Sequence, residues 1–179
     1  EYQARSGCTY ALYDLEQVSD LASNIDSLAH LLYQNLNDTR RHYVAYHENI
    51  QDLIRWALRV SWAYRESRHA RYKKQLVDLW DFLLELENKL PKEYHPTINA
   101  VKDAVNATVV KFWRPFEYGQ ALSIYFPLYW DYYTWTAAPK LYHEFAADDF
   151  LFPGDTYWDE FVQECYNPVS YTHLTLPTN

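Results

Sequence analysis

Ala121-Leu122-Ser123-Ile124-Tyr125-Phe126 lies between Gly119 and Pro127, and the reading of this short, apolar, β-rich run decides the fold class. A run of this kind bounded by chain-breaking residues predicts a buried strand. A lone strand cannot satisfy its own backbone N–H and C=O groups, so it must join a sheet. No partner strand is evident elsewhere in the sequence, and the partners are expected to lie largely upstream of Glu1. The fold class expected is therefore α/β, mostly helical, with one buried strand at about 121–126.

Outward from that run the pattern is helical. Leu15, Val18, Leu21, Ala22, Ile25, Leu28, Ala29, Leu32 and Leu36 recur at steps of three and four and predict a helix over 15–36. Asp14 is its expected N-cap, with Gln17 placed to reach back. Ile50, Leu53, Ile54, Ala57 and Leu58 predict a second helix over 48–64. Leu76, Leu79, Trp80, Leu83, Leu86 and Leu90 predict a third over 72–90, stopped by Pro91. Ile98, Val101, Val105, Val109 and Phe112 predict a fourth, capped by Thr97 and closed at Arg114-Pro115. Residues 129–133 are expected to be loop and 139–147 a short helix. A last helix is expected after a Thr156 cap, with Trp158, Phe161, Val162 and Cys165 inward and Asp159 and Glu160 in its first turn.

Composition excludes several functions. With 24 acidic residues against 16 basic ones the net charge is −8, which is unsuited to phosphate binding, so nucleic acid is not an expected partner. The basic cluster Arg65, Arg68, Arg71, Lys73 and Lys74 is interrupted by Glu66 and reads as a solvated face or linker. No apolar run of about eighteen residues occurs, so no membrane span is expected. The 18% aromatic content points to an aromatic-rich core with Tyr hydroxyls reaching the surface. Cys8 and Cys165 are the only cysteines, which excludes a disulfide scaffold and a thiolate zinc site and leaves one bridge between them open.

Met is absent and the chain opens at Glu1, so the N-terminus is expected to be truncated. Residues 169–178, Val-Ser-Tyr-Thr-His-Leu-Thr-Leu-Pro-Thr, match in one frame the translation of a transposon-end adapter used to tag sequencing libraries. Residues 1–168 are accordingly expected to be native and 169–179 a non-native tail whose His173 is no ligand. An environmental sequence assembled without a complete gene would have both features.

No catalytic constellation is evident. Three Gly form no phosphate loop. His42 and His47 are five residues apart, fall on different helical faces and lack a carboxylate at ligand spacing. His143-Glu144 reads as a solvent-facing pair. Asp148-Asp149 offers no partner carboxylate for acid catalysis, and a low-specificity calcium loop is the best functional reading left for it. Cys8, within Ser6-Gly7-Cys8-Thr9, carries no nucleophile signature. No catalytic, cofactor-binding or metal-ligating residue is assigned.

Gly119-Gln120-Ala121-Leu122-Ser123-Ile124-Tyr125-Phe126-Pro127 resembles the GLSIYFP segment near the C-terminus of clostripain-like cysteine peptidases, with Ala121 where Gly is usual. Ala11-Leu12-Tyr13-Asp14-Leu15 resembles that family's Ser-Ala-Ile-Asp-Leu helix start. Val77-Asp78-Leu79-Trp80-Asp81-Phe82 is similar to its Val-Asp-Leu-Tyr-Asp-Phe segment, and Tyr157-Trp158-Asp159-Glu160-Phe161 to its closing Trp-x-x-Phe helix. The order and approximate spacing agree from Ala11 to Tyr166.

The resemblance implies the mostly helical C-terminal part of a caspase-like fold in a bacterial, exported or cell-envelope endopeptidase that cleaves after basic residues. It implies that the catalytic His and Cys lie upstream of the matched region, in a catalytic half that would be the partner of this one. No catalytic residue carries over, and the chain alone is expected to be inactive. Calcium is implied for some complete members. The competing reading is a non-catalytic helical interaction or cell-surface domain that binds a protein partner through an apolar face.

Overall fold

Val77 sits opposite Ile124 in an antiparallel ladder, both buried, and this pair marks the sheet that the core is built around. The computed structural model describes residues 10–36, 50–61, 63–64, 76–113, 122–126 and 156–166. Within them the chain runs β1 (Tyr10–Tyr13), a 3-10 turn (Leu15–Gln17), α1 (Val18–Leu36), α2 (Ile50–Val60), β2 (Ala63–Tyr64) and β3 (Leu76–Asp78). It continues through α3 (Leu79–Lys89), α4 (His95–Thr108), β4 (Val109–Trp113), β5 (Ser123–Tyr125) and α5 (Trp158–Glu164). The described chain is mostly helical with a few short antiparallel strands.

The expected strand is present as β5, and its sequence alternates exposed Ser123, buried Ile124 and half-buried Tyr125. At least one partner lies within this chain, a correction to the expectation that no partner strand is evident in it. β5 pairs with β3, and β3 pairs in turn with β2, giving the order β2-β3-β5. Residues 76–78 were expected to be helical because Leu76, Leu79 and Leu83 are spaced as on a helix. Asp78 settles the boundary: its backbone is extended, and its carboxylate accepts the Asp81 N–H at 2.9 Å, so α3 starts only after it. Leu79 N–H donates to Leu122 O at 2.9 Å, fastening the first residue of α3 to the entrance of β5.

The second sheet was not expected. β1 pairs antiparallel with β4, Leu12 facing Lys111, and the register shifts before Tyr13 meets Val109. β4 had been expected as the last turns of a longer helix because Val105, Val109 and Phe112 keep helical spacing. Thr108, Val109 and Val110 are three β-branched residues in a row, whose stiff χ1 favours the pleated chain, and Val109 is already extended. α4 also begins before the expected Thr97 cap. Tyr94 stands at the N-cap, where its side chain does not cap the helix, and Pro96 fits the first turn, where its missing N–H is not needed. Asp14 does cap the first turn over α1, accepting Glu16 N–H at 3.0 Å, while its own N–H donates to Thr108 O at 2.8 Å. β1, the turn before α1 and the end of α4 are thereby tied together.

One core joins these pieces. The inward stripe of α1, with Leu28, Ala29 and Leu32, shares one buried cluster with Ile54 and Leu58 of α2, Phe82, Leu83 and Leu86 of α3, and Ile98, Val101 and Val105 of α4. Phe126 follows β5 into an aromatic cluster, edge-on to Phe82, Trp158 and Phe161 at ring-centre distances of 5.5, 5.7 and 5.6 Å. Edge-to-face packing of this kind adds to the burial of the rings themselves. The Trp158 indole N–H donates to Tyr125 O at 2.9 Å, so α5 is bound to the exit of β5 by both apolar and polar contacts.

α3 and α4 are also joined by Lys102, whose Nζ lies 2.7 Å from Glu87 Oε2. The hydrogen bond from Lys102 holds the Glu87 carboxyl below its ordinary 4.5, assisted by Asn99 and by the charge of His95. A depressed folded-state value stabilises above pH 4.5 and ceases to do so as pH falls through that lowered value. Glu87→Gln should cost no more than about 1 kcal/mol at neutral pH, as for other half-exposed pairs, and should flatten the loss of stability on the acid side. Urea unfolding at neutral and acid pH measures this, and equal acid limbs in the two proteins would remove the pair from the stability account.

Candidate functional site

Besides the Lys102–Glu87 pair, two groups of polar side chains in the described chain gather at the two ends of α5. Asp26, His30 and Tyr33 recur at steps of four and three along one face of α1 and meet its N-terminal end. Asp26 Oδ1 accepts Tyr157 N–H at 2.6 Å, and His30 Nε2 lies 3.9 Å from the same oxygen. The His30 ring stacks on Tyr157 at 4.0 Å with 25° between planes, and Tyr33 meets Tyr157 edge-on at 5.1 Å. Desolvation pushes the Tyr157 phenol above its ordinary value, and nearby Tyr33 and Glu160 push the same way.

At the other end, Gln51 and Arg55 lie one turn apart on α2 and converge on one acceptor. Gln51 Nε2 and Arg55 Nη2 donate to Cys165 O at 2.7 and 2.8 Å. These donors satisfy a carbonyl at a helix terminus that the helix itself leaves open. The Arg55 guanidinium also lies 5.9 Å from the centre of the Tyr166 ring. Gln51 is itself buried, so its bond to Cys165 O also gives a partner to an amide nitrogen taken out of water.

Among the described residues neither group holds a nucleophile and a base in contact. An Asp–His pair is half of a general-base arrangement, and it needs a nucleophile within hydrogen-bond reach. Among the described residues no Ser, Thr or Cys side chain hydrogen-bonds to His30, whose ring face is occupied by Tyr157. Cys165 is a free thiol, fully buried, and burial pushes its pKa well above the ordinary value, with Glu164 adding to the shift and Arg55 opposing it. Attack on a carbonyl requires the thiolate, which this environment disfavours. No imidazole among the described residues hydrogen-bonds to Cys165. Cys165 should therefore resist iodoacetamide in the folded protein and react once urea unfolds it. Peptide mass mapping reads this at Cys165 separately from Cys8, and rapid native labelling of Cys165 would show an accessible thiolate.

Most residues singled out in the sequence lie outside the described ones. These are Cys8, His42, His47, the basic cluster from Arg65 to Lys74, His143, Glu144, Asp148, Asp149, the expected loop at 129–133 and helix at 139–147, and the tail at 169–179. Among the described residues no three His, Cys, Asp or Glu side chains come together to hold a metal ion, and no calcium ligand is assigned there. No helix among them is long and apolar enough to cross a membrane. Sequence reasoning passed over Asp26, His30, Gln51 and Arg55. Their local signal is the four-residue spacing of Asp26 with His30 and of Gln51 with Arg55.

No protein family, curated protein or solved structure matches the chain.

Proposed function

We propose that this chain is a supporting, non-catalytic region of a clostripain-like cysteine endopeptidase with a caspase-like fold. The observation that carries the proposal is the run from Gly119 to Pro127, with its likeness to the family's GLSIYFP segment. The packing of two of the three other similar segments, Val77–Phe82 and Tyr157–Phe161, against that run supports it, while Ala11–Leu15 lies with β4 instead. Val77-Asp78 pairs with Ile124-Ser123, Phe82 lies edge-on to Phe126, and Trp158 donates to Tyr125 O. Segments that belong to one structural unit should meet in this way.

On this reading the catalytic His and Cys belong to another half of the same protein, which is the partner of this region. The complete enzyme is a bacterial, exported or envelope peptidase that cuts peptides after Arg or Lys, and calcium, where the family uses it, is held outside the described residues. The buried Cys165 is consistent with a structural role. Leu12, Leu15, Val18 and Val110 are exposed near the β1–β4 ribbon, which fits both this reading and the alternative of a non-catalytic interaction domain. A peptidase would cover this face with its own chain and an interaction domain with a separate protein.

Two experiments test the reading. The chain as written, incubated with peptides carrying Arg or Lys before a reporter group, with and without calcium, should give no turnover. Turnover abolished by Cys8→Ala or Cys165→Ala would overturn the proposal and make that cysteine the nucleophile, because losing the nucleophile removes on the order of a millionfold in rate. The coding sequence upstream of Glu1 decides the family: a His-Gly motif and a Cys-Leu-Met motif support the peptidase, and a signal peptide joined directly to Glu1 refutes it.

A further inference from the structure

We draw no further inference here: the strongest candidate, the exposed apolar side chains Leu12, Leu15, Val18 and Val110 beside the β1–β4 ribbon, fits either more of the same chain or a separate protein, and nothing in the structure shows what covers it.

Discussion

Replacing Trp158 with Ala should unfold this protein or lower its melting temperature by roughly 10 °C or more. Large-to-small substitution of a buried aromatic costs about 3–5 kcal/mol, and a domain of this size loses about 2–4 °C per kcal/mol. Trp158 should fall at the upper end for two reasons. Its ring is fully buried and edge-on to Phe82, Phe126 and Phe161 at 6.5, 5.7 and 5.2 Å, so no flexible surface can collapse into the space it leaves. Its indole N–H also serves the Tyr125 carbonyl, which would lose that donor. Trp158→Phe keeps much of the volume and loses the hydrogen bond, so it should fall between wild type and Ala. Thermal unfolding followed by near-ultraviolet circular dichroism measures the series. A Trp158→Ala protein that melts within about 2 °C of wild type would mean that α5 is not part of the core.

The second large effect separates a strand from a helix at β5. Ile124→Asp should abolish cooperative folding, whereas Ser123→Lys, one residue earlier and opposite Asp78, should change stability by no more than about 0.5 kcal/mol. On a strand, neighbouring side chains point to opposite faces. Ile124 is directed into the core opposite Val77, where a carboxylate would be buried without a partner, and Ser123 faces solvent. Urea titration of both variants gives the comparison. Equal tolerance at the two positions would contradict the alternation, and with it the pairing of β5 on β3.

The elements legible in the sequence were those with a long stripe. α1, α2 and α5 follow from residues such as Leu21, Ile25, Leu28 and Leu32, or Trp158 and Phe161, whose spacing leaves one solution. β3 and β4 were hidden because apolar residues at helical spacing continue across the boundary, from Leu76 into Leu79 and from Val105 into Val109. What stops the helix there is local: an Asp78 carboxylate at a cap, and three β-branched residues from Thr108 to Val110. β1, β2 and β3 are four, two and three residues long, too short for alternation to register. The polar groups at the ends of α5 were illegible for a different reason. Asp26 and Tyr157 are 131 residues apart, and Arg55 and Cys165 are 110 apart. Only the folded chain brings them together.

Two of the joints described above have no connecting residue: β3 ends at Asp78 where α3 begins at Leu79, and α4 ends at Thr108 where β4 begins at Val109. Each is an uninterrupted change of backbone conformation, so strand register and helix rotation are geared to one another. Adding or removing one residue would move every later side chain to the opposite face of a strand, or turn a helix by about 100°. At the first joint that would swing Phe82, Leu83 and Leu86 away from the core while Val77 stayed in it. These two places should therefore accept substitutions that respect size and polarity while rejecting single-residue insertions and deletions. Natural length variation in such a chain would have to fall between its elements and not at their seams.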